Sequence, residues 1–185
     1  MLPVTVHRVV SAPREDVYDL VADLAYRPAW TDHFTSSFRL EHPQSSGEGA
    51  SARYRLDGPL NTLWLETRIV EAERPRRIVE ALRGGRSGRT TGEVVFELTR
   101  QGRGLTRVEM TTWIEPGTPR EAIKGRLGTR PWVRRRSRVA LDRLRAIFEE
   151  GREAPLERAT VAGWEPRKSP RFGVSPRPEP RVPSG

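Results

Sequence analysis

Residues 6–23 read VHRVVSAPREDVYDLVAD, and the hydrophobic period changes in the middle of them. Residues 2–10 are rich in Val and Thr, which suits a strand. Pro13 follows at a position where a first-turn proline is tolerated, and Glu15 sits where the helix dipole favours a negative charge. Val17, Leu20, Val21 and Leu24 then recur at helical spacing, one apolar face of a short amphipathic helix. Residues 26–32, with Pro28 and Trp30, predict a second short helical turn.

Downstream the period becomes two. Phe38 and Leu40 share a face, and Ala50, Ala52, Tyr54 and Leu56 oppose Ser51, Arg53 and Arg55. Leu63, Leu65, Thr67 and Ile69 alternate with Trp64, Glu66, Arg68 and Val70, and a short strand covers residues 78–83. Val94, Phe96 and Leu98 oppose Glu93, Val95 and Glu97, while Val108, Met110, Thr112 and Ile114 oppose Arg107, Glu109 and Trp113. Such alternation marks strands with one face toward a core and one toward water. Glycine-rich or proline-containing breaks separate them at residues 46–49, 57–59, 74–75, 84–88 and 101–104. Connections this short favour an antiparallel meander.

The last element is helical, opened by Thr118-Pro119 and closed by Gly151, with a break expected near 128–131. Val133, Ala140, Leu141, Leu144, Ile147 and Phe148 form its apolar stripe, and Arg134, Arg135 and Arg138 lie among those that cover the rest. Residues 120–150 hold ten basic and four acidic side chains, a surplus of six positive charges. From 151 to 185 seven prolines accompany few large apolar residues, a composition unable to offset its ordering entropy by burial. Two parts follow: a domain over 1–150 and an extended or disordered Pro/Arg-rich tail over 151–185, with Trp164 and Phe172 able to pin part of it back.

The 185 residues include 33 basic and 24 acidic side chains, a net charge of +9. All but Lys124 and Lys168 of the basic residues are arginines, which fits a compositional bias as well as a function. Mean hydropathy is −0.65. No apolar run approaches the roughly 20 residues of a membrane-spanning helix, and no signal peptide is seen, so cytoplasm is the default compartment. The absence of cysteine removes disulfides, thiolate nucleophiles and Cys-based zinc sites. Three histidines, His7, His33 and His42, are too few to suggest a metal site, and no cofactor is indicated.

A curved antiparallel sheet of six or seven strands, two short helices after the first strand and a long C-terminal helix make an α+β helix-grip architecture. Residues 6–23, with Ala12-Pro13 between strand and helix and Asp23 near the helix end, resemble the START-related superfamily, which includes polyketide cyclase-like proteins and lipid-transfer domains. Tyr26-Arg27-Pro28-Ala29-Trp30 is similar to the Pro-x-Trp segment that follows there. The resemblance covers about residues 3–150. It implies an elongated apolar cavity between the sheet and the long helix, with a hydrophobic small molecule or lipid as ligand. It does not imply a reaction, because the superfamily shares no catalytic signature.

The residues support a cavity independently. Ala50, Ala52, Gly92, Thr112 and Ser137 are small at inward positions, which leaves room opposite a long helix. Alternatively Trp30, Phe34, Phe96, Trp113 and Trp132 fill the space themselves. The ligand-binding candidates are Trp30, Tyr54, Glu80, Phe96, Met110, Thr112, Ser137 and Leu141. Glu80, between Ile78 and Leu82, points inward or, with a one-residue register change, outward. If buried it is a candidate general acid or base, with Tyr54 as a second candidate, for a cyclase/dehydratase-type enzyme. Asp32-His33 reads as helix capping or loop surface, His7 as a surface residue, and Tyr18 and Tyr26 as packing residues. The glycines between 84 and 92 read as a hairpin, since a phosphate loop would continue into Gly-Lys-Ser/Thr and a helix. Arg134, Arg135 and Arg138 could meet anionic lipid head groups, or an acidic partner or RNA together with the tail. The scarcity of interleaved aromatics argues against a base-reading nucleic-acid surface. The sequence leaves the oligomeric state open.

Overall fold

The computed structural model describes residues 2–58, 62–85, 88–115, 117, 129–150, 156 and 158–162. β1 (Val4–Val10) leads through Pro13 into α1 (Arg14–Ala22), which has Glu15 and Asp16 in its first turn. A 3-10 turn (Leu24–Tyr26) and a short α2 (Pro28–Thr31) follow. Then come β2 (Thr35–Leu40), β3 (Ser51–Asp57), β4 (Thr62–Glu73), β5 (Arg77–Gly84), β6 (Thr90–Gly102) and β7 (Leu105–Glu115). The chain closes on α3 (Thr129–Glu149), with Pro131 in its first turn. The expected helix opening at Thr118-Pro119, Gly125 and Gly128 lies outside the described residues, as do Gly151, Trp164 and Phe172.

All seven strands form one antiparallel sheet in the order β1-β7-β6-β5-β4-β3-β2, so β1 and β2 are the edges. The sequence order is a meander from β2 to β7, with β1 returning beside β7. The inward rows match the period-two pattern: Leu65, Thr67 and Ile69, then Val94, Phe96 and Leu98, then Val108, Met110 and Thr112 are all buried. Two glycines answer backbone crowding. A Cβ on Gly84 would stand 2.2 Å from the Trp64 carbonyl oxygen, and one on Gly92 2.3 Å from that of Trp113. Gly92 is therefore small because a neighbouring strand presses on its backbone, and it makes no room for a cavity.

The long helix lies across the concave face, burying Val133, Ser137, Ala140, Leu141 and Leu144. Polar contacts hold it on both sides. Arg8 of β1 donates to Asp142, with one nitrogen–oxygen distance of 3.1 Å, and Ser11 donates to Glu149 at 2.9 Å. On the other side Arg143 pairs with Asp32, and His33 Nε2 donates to the Arg136 carbonyl at 3.1 Å. Asp32 is the exposed C-cap of α2, in line with the capping expected of the Asp32-His33 pair, whereas His33 is half-buried and serves as a latch onto α3.

Beyond the helix, residues 158–162 run back along β2. Leu40 N–H donates to the Thr160 carbonyl at 2.9 Å, Ala162 N–H to the Leu40 carbonyl at 2.6 Å, and Leu40 and Val161 form a parallel bridge. Ala159 N–H donates to the Ala25 carbonyl at 2.7 Å, and the Arg158 guanidinium sits 4.9 Å from the centre of the Tyr26 ring. This segment braces the 3-10 turn. Ending the chain at Glu150 is expected to lower unfolding free energy by about 1–3 kcal/mol, since each net hydrogen bond contributes about 1 kcal/mol and ordering costs offset part. Urea denaturation of the shortened and full chains measures this, and equal midpoints would mean that the segment adds nothing.

Candidate functional site

The site begins with the turn after α1. The Asp23 carboxylate accepts from Ala25 N–H at 2.9 Å and caps the 3-10 turn. Pro28 then starts α2, and Arg27 and Trp30, three residues apart, both turn inward and are buried. The Arg27 guanidinium carbon lies 4.6 Å from the Trp30 ring centre and 5.2 Å from that of Phe96. Its nitrogens reach Glu80: Nη2 donates to Oε1, and Nη1 to Oε2 at 3.3 Å. Nη2 also donates to the Val21 carbonyl at 3.1 Å, and Thr67 donates to Glu80 Oε2 at 3.0 Å.

Glu80 is 2% exposed and Arg27 7%, so this is an ion pair removed from water. The β5 register places Glu80 in the inward row with Ile78 and Leu82, opposite Ile69 on β4 and Val94 on β6. The inward one of the two registers weighed from the sequence is thus the one adopted. Arg27 was not a candidate, although it is the partner that lets Glu80 lie inside. An unpaired carboxylate there would cost several kcal/mol, which the pairing and its hydrogen bonds offset.

A cavity lies above this pair, between the N-terminal half of α3 and the inner face of the sheet. Its volume, taken as the space open to the centre of a water-sized sphere, is about 70 Å³. Its buried lining includes Leu82, Val94, Met110 and Thr112 from the strands and Val133 and Ser137 from α3. Phe34, Tyr54, Leu56, Ile114, Trp132 and Arg136 are its half-buried lining residues. Phe34 and Trp132 meet edge to face with ring centres 6.1 Å apart.

Six of the eight sequence candidates line this space: Trp30, Tyr54, Glu80, Met110, Thr112 and Ser137. Phe96 and Leu141 do not. They lie one step further along the same rows, where Phe96 meets Trp30 edge to face at 6.1 Å and Leu141 packs beside Leu144 in the core. Ala50 and Ala52 belong to that packed core as well, so of the small inward positions only Thr112 and Ser137 border the cavity. Trp113 lies outside, 37% exposed. Tyr18 is core, Tyr26 carries Arg158 on its ring, and neither lines the cavity. Arg134, Arg135 and Arg138 are exposed and form no ion pair among the described residues.

The Tyr54 ring stacks on Phe38 with centres 5.5 Å apart. Burial pushes its phenol well above the ordinary value, the Glu80 carboxylate adds to the rise, and Arg27 opposes it. Tyr54 is therefore a neutral hydrogen-bond donor at physiological pH, and no group among the described residues accepts from it. Thr112 Oγ1 is buried without a partner. No group of three or more His, Asp or Glu among the described residues could hold a metal ion. No described helix is long and apolar enough to cross a membrane.

Comparison with known proteins agrees with a curved antiparallel sheet gripping one long helix. The family described as polyketide cyclase/dehydrase and lipid transport matches residues 1–149. The chain belongs to this family. Its solved relatives share the architecture at low identity. TTHA0849 from Thermus thermophilus is 18% identical with a TM-score of 0.62, covering 80% of this chain and 97% of its own. The major latex-like protein 151 of Panax ginseng is 9% identical with a TM-score of 0.58, covering 79% and 96%. A START superfamily protein from Mycobacterium smegmatis is 14% identical with a TM-score of 0.57, covering 80% and 97%. At these identities the likeness is one of fold. No curated protein matches the sequence.

Two measurements check the site's energetics. Arg27→Met alone leaves Glu80 buried and unpaired and is expected to cost about 3–5 kcal/mol, while adding Glu80→Leu recovers most of that loss. Equal denaturation midpoints for the single and double variants would show that the pair is not coupled. His33 offers a pH readout. Burial is the main reason its imidazole sits below the ordinary value of 6.5. Its hydrogen bond to Arg136 and the Asp32 charge oppose that shift, and the charges of Arg143 and Arg136 add to it. The unfolded chain therefore takes up this proton first. The stability contribution is complete above about pH 6.5 and is lost as the pH falls through the folded-state value. His33→Gln, which can still donate to the Arg136 carbonyl, should flatten this acid limb. An equally steep limb in the variant would assign it to another group.

Proposed function

We propose that this member of the family binds an apolar small molecule or lipid in the space between the sheet and the N-terminal half of α3. The observation that supports this reading is a division inside the grip. The C-terminal half of α3 packs Leu141 and Leu144 into the core, whereas Ser137, one turn earlier, borders open space lined by Leu82, Val94 and Met110. Apolar walls of this kind release water to an apolar guest, and the few polar groups fix its orientation. Tyr54 and Thr112 are those groups in the interior.

The geometry around Glu80 disfavours the alternative in which it transfers protons. Both carboxylate oxygens accept hydrogen bonds, one from Arg27 and the other from Arg27 and Thr67. To act as a base the group would first have to break the pair that keeps it inside. We assign it a positioning role: it holds Arg27, and through Arg27 the ring of Trp30 that lines the cavity.

Nile red, a neutral apolar dye, tests the binding site. The full chain is expected to raise its fluorescence, and Ser137→Phe, which puts a ring into the space, should weaken binding by about tenfold, roughly 1.4 kcal/mol. Equal uptake by parent and variant would place the binding elsewhere on the molecule. Mass spectrometry of a solvent extract of the purified protein then identifies any co-purified apolar compound.

A further inference from the structure

Three charged side chains border the cavity: Arg27, Glu80 and Arg136. Arg27 and Glu80 neutralise each other. Arg136 has no carboxylate partner among the described residues. Asp32, whose loop packs on α3, is taken by Arg143. Arg136 is half-buried, its Nε lies within the protein without an acceptor, and its guanidinium carbon sits 5.9 Å from the centre of the Trp132 ring. The surface arginines Arg134, Arg135 and Arg138 on the same helix stand in water, which solvates them. Arg136 instead faces a largely apolar opening. Burial is the main reason neighbouring His33 sits below its ordinary value, and the Arg143 and Arg136 charges add to it.

We propose that the ligand is an amphiphilic acid whose carboxylate or phosphate head pairs with Arg136 at the rim while its apolar body extends inward over Val133, Val94 and Met110. The proposal rests on the reading of the cavity as a binding site and specifies what that site selects. A purely apolar guest would strip water from the guanidinium and return nothing. An anionic head supplies acceptors for a planar, forked donor, which arginine holds better than lysine. The opposite orientation, with the head inside, would put the anion beside Glu80, whose compensating cation is already committed. Polarity thus runs along the cavity, from one uncompensated cation at the rim to a neutral interior with Tyr54 as a donor.

Calorimetric titration of the full chain with decanoate, decyl phosphate and decanol tests this at constant chain length. At least one of the two acids is expected to bind about tenfold more tightly than decanol, the size of a charge-assisted hydrogen-bond gain. Arg136→Gln should bring the acids to the level of the alcohol, and Arg136→Lys should keep part of the preference. A triple Arg134→Gln, Arg135→Gln, Arg138→Gln variant should retain it in full. Equal binding of acids and alcohol by the parent chain would overturn the head-group assignment while leaving the cavity as an apolar site. A preference that survives Arg136→Gln, or one that disappears in the triple variant, would also overturn it and move the anion to the open helix face. Binding of none of the three probes would remove the cavity reading and this proposal together.

Discussion

The Arg27 guanidinium is enclosed by the rings of Trp30 and Phe96 and tied to both oxygens of Glu80, and the surrounding structure is arranged to make that arrangement tolerable. An ion pair out of water is stable only while its geometry is kept, because neither partner can stay there alone. The cap at Asp23, the proline that starts α2, the inward row of β5 and the Thr67 hydroxyl each fix one coordinate of it. The segment after α3 adds support from behind, through Ala159 on the Ala25 carbonyl and Arg158 on the Tyr26 ring. The pair thereby anchors the start of α2 to β5, the central strand of the sheet.

This anchor also separates a solid half of the grip from a hollow one. On the solid side Phe96, Leu98, Val108, Leu141 and Leu144 close-pack, as protein interiors normally do. On the hollow side the same rows continue with Val94, Met110 and Ser137, which line the cavity. Burial of Ala140, Leu141 and Leu144 in the solid half seats α3, together with the polar contacts from Arg8, Ser11, His33 and Asp32.

Much of the fold was legible because period-two alternation and a helical stripe are direct images of burial. The rows through Thr67, Val94 and Met110 and the stripe through Leu141 came straight from spacing. Glu80 was visible as the one acid in an apolar row, but spacing could not choose between two registers. Arg27 was not legible, because among 31 arginines nothing marks the one that turns inward. The clue lay in its neighbour: an inward Glu requires a cation, and Arg27 sits one residue before a proline that redirects the chain. Small size proved an ambiguous signal. Ala50 and Ala52 are small because core atoms crowd them and Gly92 because a backbone does, and only Thr112 and Ser137 are small beside open space. Arg136 was hidden in a run of three arginines whose members face different surroundings, a distinction set by helical phase.

The pairing of residues 158–162 with β2 bears on how the protein behaves in a crowded solution. A sheet's outermost strand offers unsatisfied amide and carbonyl groups to any extended peptide that drifts past, including another molecule of the same protein. Here the amide and carbonyl of Leu40 are already engaged by the chain's own later residues, and a bulge between Ser36 and Arg39, with Ser37 at φ 52°, breaks the regular ladder beside it. The molecule thus carries a built-in stopper against cross-molecular β-stacking, and it lies beyond residues 1–149, the part that matches the family.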